Sequence, residues 1–125
     1  MNAGIVIQMN REFRPLNDRE MGLLEKLLEA PFPGRDELRA QMNSVTGKQI
    51  EDDGTLSLRC PSGPPAPTKY ALAMEGVCTD SDGGMIAVML HVDKAGFMHM
   101  LEIIKYDGSP IVRPPSASDL VPSLY

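Results

Sequence analysis

The sequence predicts an α+β fold, an N-terminal helical hairpin packed on one face of a four-stranded antiparallel sheet, on three observations. Residues 17–45 carry apolar side chains at helical spacing. From Lys48 onward the spacing changes to the period of two that marks half-buried strands. The last three strand-like stretches are separated by short turn sequences, "DSDGG" and "DKAG", as in a meander. At 125 residues the chain is long enough for one core, so a single domain over 1–125 is expected, with an N-terminal segment at 1–13 and a Pro-rich tail at 112–125.

The first helix opens at "PLNDREMGLLEKLLEA". Asn17 is a good N-cap, Glu20 three residues on completes a capping box, and Leu16 and Met21 can close a hydrophobic staple around it. Met21, Leu24 and Leu28, with Leu23 and Leu27 beside them, form a wide apolar stripe, and Pro31 ends the helix. A second, shorter helix follows the break at Pro33 and Gly34, with Asp36 and Glu37 at its positive N-terminal end and Leu38, Met42 and Val45 along one side.

The strands then follow in order. "TLSLRC" alternates Leu56, Leu58 and Cys60 against Thr55, Ser57 and Arg59. "CPSGPPAPT" has too many prolines for either a strand or a helix and reads as a loop of polyproline character. "KYALAMEGVCT", "MIAVMLHV" and "FMHMLEIIKY" supply the remaining strands. After "DGSPI" comes the Pro/Ser-rich tail, in which Leu120, Leu124 and Tyr125 are the residues able to tie it down.

Composition excludes several functions. A net charge of −5, a pI near 4.9 and scattered Lys and Arg oppose binding to nucleic acid or an anionic membrane surface. Three Phe, three Tyr and no Trp leave few platforms for stacking bases or sugars. The opening residues lack the basic and small-residue flanks of a secretory signal, and no stretch approaches the ~20 apolar residues of a membrane-spanning helix. A cytoplasmic location is expected. Treating the strands of Cys60 and Cys78 as antiparallel neighbours puts the thiols at opposite ends, roughly 25 Å apart at ~3.3 Å per residue, far beyond the ~7 Å Cα limit of a disulfide. Two free thiols are expected.

"MIAVMLHVDKAGFMHM" holds four of the nine methionines and both histidines. With Val92 opposite Phe97, His91 pairs with Met98 and His99 with Leu90, on opposite faces, so that one metal ion cannot be held by both imidazoles. The stretch then reads as a hairpin, with no metal site and no cofactor site. Met89, His91, Met98, Met100, Ile104 and Tyr106 share the face turned away from the helices, and a Met-rich exposed sheet face suggests an interaction surface. "EDDGT" and "TDSDGG" are read as turns, since neither completes an EF-hand loop. Neither cysteine has the helix N-terminus or adjacent base of a catalytic thiol, and no catalytic constellation is assigned.

The residues "RPL" (Arg14 to Leu16), "LLEKLL" (Leu23 to Leu28), "FPGRDELRAQ" (Phe32 to Gln41), "DDGTLSL" (Asp52 to Leu58), "LEI" (Leu101 to Ile103), "DGSPI" (Asp107 to Ile111) and a closing Pro and Leu region carry a resemblance. The chain resembles a family of small uncharacterised bacterial proteins known only as a domain of unknown function, over roughly Arg14 to Leu120. The resemblance implies a fold and brings no activity, cofactor or catalytic residue. The first dozen residues and "PSGPPAPT" depart from the pattern. In size and charge the chain is also similar in style to toxin-immunity proteins. Three functions are therefore expected, in this order: a noncatalytic protein-binding module, immunity-like and facing a basic partner; a small-molecule binder or enzyme with a pocket between helices and sheet and Arg14, Arg35 or His99 at its mouth; and a structural homodimer.

Overall fold

In the computed structural model, described here for residues 12–67 and 72–123, ten elements follow one another. They are β1 (Arg14–Pro15), α1 (Asp18–Leu27), α2 (Arg35–Gln41), β2 (Thr46–Gln49), β3 (Leu56–Arg59), β4 (Leu72–Thr79), β5 (Met85–Val92), β6 (Met98–Lys105), a 3-10 turn (Ala117–Asp119) and β7 (Val121–Ser123). All seven strands belong to one antiparallel sheet in the order β1-β2-β3-β6-β5-β4-β7.

The expected four-stranded meander under a helical hairpin is therefore incorrect. Of the four expected strands, β4, β5 and β6 run as consecutive neighbours, while β3 crosses to pair with β6 instead of β4. Crossing places Leu56 opposite Leu101 and continues the apolar inner surface of β6. The further strands β1, β2 and β7 extend both sides of the sheet, and β7 lies within the segment expected to be a tail. Pro15 and Pro122 sit in the two outermost strands, where a missing backbone donor costs no central ladder bond.

The helices are short and do not form a hairpin. Helix α1 has the expected capping box: the Asn17 side chain accepts from the Glu20 N–H at 2.8 Å, and Glu20 Oε1 accepts from the Asn17 N–H at 2.9 Å. It packs over β4 and the 3-10 turn. Helix α2 stops at Gln41 and is tied elsewhere. The buried Gln41 amide donates to the carbonyls of Pro64 (2.9 Å) and Gly96 (2.8 Å), while its oxygen accepts from the Met98 N–H (3.0 Å). That residue stitches α2, the Pro-rich loop and the β5–β6 turn together. Gly96, at φ +91°, passes so close to the Ala66 backbone that a Cβ there would collide with it.

The core lies between the helices and the inner sheet face. Leu23, Leu24, Leu27, Leu28 and Leu38 meet Leu56, Met74, Ile86, Val88, Leu90, Val92, Met98, Leu101 and Ile103, with Leu120 closing the C-terminal side. Gly76 admits Leu120: a Cβ on Gly76 would stand 2.7 Å from the Leu120 Cγ. The C-terminal segment is pinned by a buried charge knot. Lys105 Nζ donates to Asp80 Oδ2 (2.9 Å), Asp82 Oδ2 (2.6 Å) and the Pro110 carbonyl (3.1 Å), and Asp80 also accepts the N–H groups of Ser81, Val112 and Arg113.

Candidate functional site

The side of the pocket reading is filled and engaged. Five leucines from the helices are 0–1% exposed where a cavity between helices and sheet would lie. Arg14 grips Glu20 through two bonds of 2.7 and 3.0 Å, and Arg35 caps the end of α1 at the carbonyls of Leu28 and Glu29. Burial opposes the Glu20 charge, but the Arg14 guanidinium and the Asn17 N–H, with Arg19 adding to them, together hold the carboxyl below its usual range. These groups are engaged within the fold. The acidic turns are likewise consumed: Asp53 accepts from the Thr55 N–H (3.0 Å), and Asp80 and Asp82 share Lys105.

The two cysteines are free, as expected, but for a different reason. Their strands β3 and β4 are not neighbours, because β6 and β5 stand between them. At ~4.8 Å per strand step that separation alone exceeds disulfide reach. Burial pushes the Cys60 thiol up to about 11 and raises that of Cys78, so neither is an activated nucleophile.

The opposite face of the sheet carries the remaining exposed chemistry. Directly paired residues share a face, so the register lays them out in rows. Val121, Val77, Ala87 and Ile104 form one row, and Met85 and Tyr106, joined by the Tyr106 N–H to the Met85 carbonyl (3.0 Å), belong to the next. Four large apolar side chains are exposed there: Met85 (45%), Ile104 (38%), Tyr106 (60%) and Val121 (64%). A row of Glu75, Met89 and Glu102 follows, and beyond it His91 pairs with Met100.

Of the residues assigned to this surface from sequence, Met89, His91 and Met100 are half-buried on it, and Ile104 and Tyr106 are exposed on it. Met98 is not there. It is 1% exposed, pairs with Val92 and belongs to the core. The reason is a bulge in β6: Val92 pairs with Met98 and His91 with Met100, which leaves His99 as the extra residue. A bulge sets two residues opposite one, so His99 and Met100 both turn toward the face of His91. The imidazoles therefore come together, with ring centroids 6.2 Å apart, instead of lying on opposite sides as the regular register requires. His91 Nε2 is 2.8 Å from Glu102 Oε1.

Side chains enforce this bulge. The Met98 N–H is taken by Gln41, and its carbonyl lies 3.9 Å from the Cys60 thiol that donates to it. The sequence held a signal for it: Met98 and Leu101, two residues that must both point inward, are spaced by three.

Together the fold and this face define a small α+β protein with an antiparallel sheet whose side away from α1 and α2 displays an apolar patch beside a carboxylate row and a histidine pair. The chain belongs to the family described as Domain of unknown function (DUF6984), whose family model matches residues 13–115. The charged pair Arg14 and Glu20, Gln41, and the Asp80–Lys105 knot all fall inside that span. No curated protein and no solved structure matches the chain. Among the described residues, no helix is long and apolar enough to cross a membrane.

Proposed function

We propose that the chain is a noncatalytic protein-binding module that works through the outer face of its sheet. The observation that carries this reading is the gathering of Met85, Ile104, Tyr106 and Val121, all exposed, into two adjacent rows of one face. Contiguous apolar surface of this kind is a feature of interaction sites, and methionines suit one because they repack around a partner. The row holding Glu75 and Glu102 borders the patch, and the chain carries a net charge of −5. The partner that fits is a protein presenting apolar side chains flanked by Lys or Arg, and an immunity-like role against a basic protein in the cytoplasm is one case of that chemistry. Acidic charge steers such a partner, so association slows as salt rises.

The test is affinity capture with the wild type and with a Met85→Ser/Tyr106→Ser variant, at low and at moderate salt, alongside light scattering of the isolated protein. A stoichiometric basic partner held by the wild type, weakened by salt and lost from the variant, supports the reading. Retention by the variant equal to that of the wild type overturns it. A dimer that the two serines dissociate transfers the surface to a second copy of this chain.

A further inference from the structure

We propose that His91 and His99 form a binding site for monovalent copper, with the Met100 thioether as a further donor and Glu102 as the residue that positions His91. The site goes beyond the protein-binding reading and lies on the same face, at the other end from the apolar patch. Its starting point is the bulge. By inserting His99 opposite His91, the bulge turns two imidazoles and the Met100 side chain onto one surface, and Gln41 and Cys60 fix the backbone of Met98 from behind. The ladder on the other side of His91 is also irregular, since the β4 register shifts between Leu72, its partner, and Met74. Bulges commonly re-aim side chains at functional sites.

The ligand number and donor types point to the ion. A bond of ~2.0 Å from metal to imidazole nitrogen, plus about 1.2 Å from nitrogen to ring centre, gives centroids about 6.4 Å apart for a straight nitrogen–metal–nitrogen angle and about 5.2 Å for a tetrahedral one. The two rings stand edge-on at 62° with centroids 6.2 Å apart, so a side-chain rotation that turns one nitrogen of each ring toward the other brings them within the wider of these spans. Zinc favours a tetrahedral set of four ligands, and among the described residues no group of three or more His, Cys, Asp or Glu side chains could hold a metal ion. Monovalent copper accepts fewer ligands, tolerates a near-linear pair and takes thioethers as soft donors. Met100 supplies one, directly paired with His91. Glu102 at 2.8 Å from His91 Nε2 matches the carboxylate that orients a ligating imidazole through its other nitrogen, which leaves Nδ1 for the ion.

The test is an oxygen-free titration with Cu(I) against a chromophoric chelator, repeated with Zn(II), on the wild type and on single variants. One equivalent of Cu(I) is expected to bind the wild type, and the imidazole proton resonances of both histidines are expected to move. His91→Ala and His99→Ala each abolish competition with the chelator. Met100→Leu weakens it, and Glu102→Gln weakens it about ten- to a hundredfold. Cys78→Ser, in β4 and outside the bulge, leaves it unchanged. His99 is exposed, so its variant is expected to keep the wild-type circular dichroism. The proposal is overturned if the wild type cannot compete, if His99→Ala competes equally well, if Cys78→Ser abolishes binding, or if Zn(II) displaces the copper.

Discussion

At the scale of residues, each of the buried polar side chains Glu20, Gln41, Thr55, Asp80 and Lys105 is hydrogen-bonded. Asn17 and Glu20 were legible because both halves of a capping box lie within four residues. Asp80 and Lys105 were not, because they are 25 positions apart and only the pairing of β4, β5 and β6 brings them together. Desolvation opposes the Asp80 charge, but the Val112 N–H, the Lys105 ammonium and the N–H groups of Arg113 and Ser81 hold its pKa far below the usual carboxylate range. Asp82 raises the Lys105 pKa against desolvation, aided by Asp80. The sign follows from linkage. Asp80, depressed when folded, stabilises fully above the ordinary ~3.9 and loses that contribution as pH falls through its folded value. Lys105, raised when folded, stabilises fully below ~10.4 and loses its contribution as pH rises through its folded value. Melting temperatures followed from pH 7 down to pH 2 should therefore fall steeply for the wild type on the acid side. Asp80→Asn should melt lower at pH 7 and show a flatter acid limb; an unchanged limb would contradict the assignment. Gln41→Met, which strands the Met98 N–H and the carbonyls of Pro64 and Gly96, should cost about 3 kcal/mol in urea unfolding.

At the scale of elements, strands with alternating apolar residues were readable and short or irregular ones were not. The residues of β4, β5 and β6 announce themselves by period, whereas β2, "TGKQ", has no apolar alternation, and β1 and β7 each contain a proline that reads as a break. Strand order was illegible for a different reason: nothing in "LSLR" says whether its leucines complete β4 or β6. The register failed at one residue, because a single inserted position reverses every face assignment beyond it. Deleting His99 should leave Val92 opposite Met98 and His91 opposite Met100, so the variant should fold with the same amide-exchange protection in β5 and β6 while losing copper. Loss of protection throughout both strands would show that the bulge is required for the sheet itself. The close fit of Leu120 over Gly76 is tested separately. Leu120→Ala should cost about 2–5 kcal/mol and Gly76→Ala about 1–3 kcal/mol. The double variant should cost less than the sum, because removing the leucine relieves the clash.

At the scale of the whole molecule, the sheet divides the protein into a side that holds the fold and a side that displays chemistry. The leucines of both helices fill the first, and Arg14 and Arg35 are spent on it. On the second, the exposed rows were largely foreseeable from the alternation of β5 and β6, while the contributions of Met85 and Val121 required the positions of the β4–β5 turn and of β7. The methionines provide a direct reading of which side is used, since Met85, Met89 and Met100 lie on the outer face, Met21 and Met42 pack against the core, and Met74 and Met98 lie within it. The measurement is methyl-resolved NMR of methionine-labelled protein, with and without the partner retained in affinity capture. The account predicts changes at Met85 and Met89, with Met21, Met42 and Met74 unmoved. Changes at Met21 and Met42 with Met85 and Met89 undisturbed would place the interaction on the helical side and contradict it.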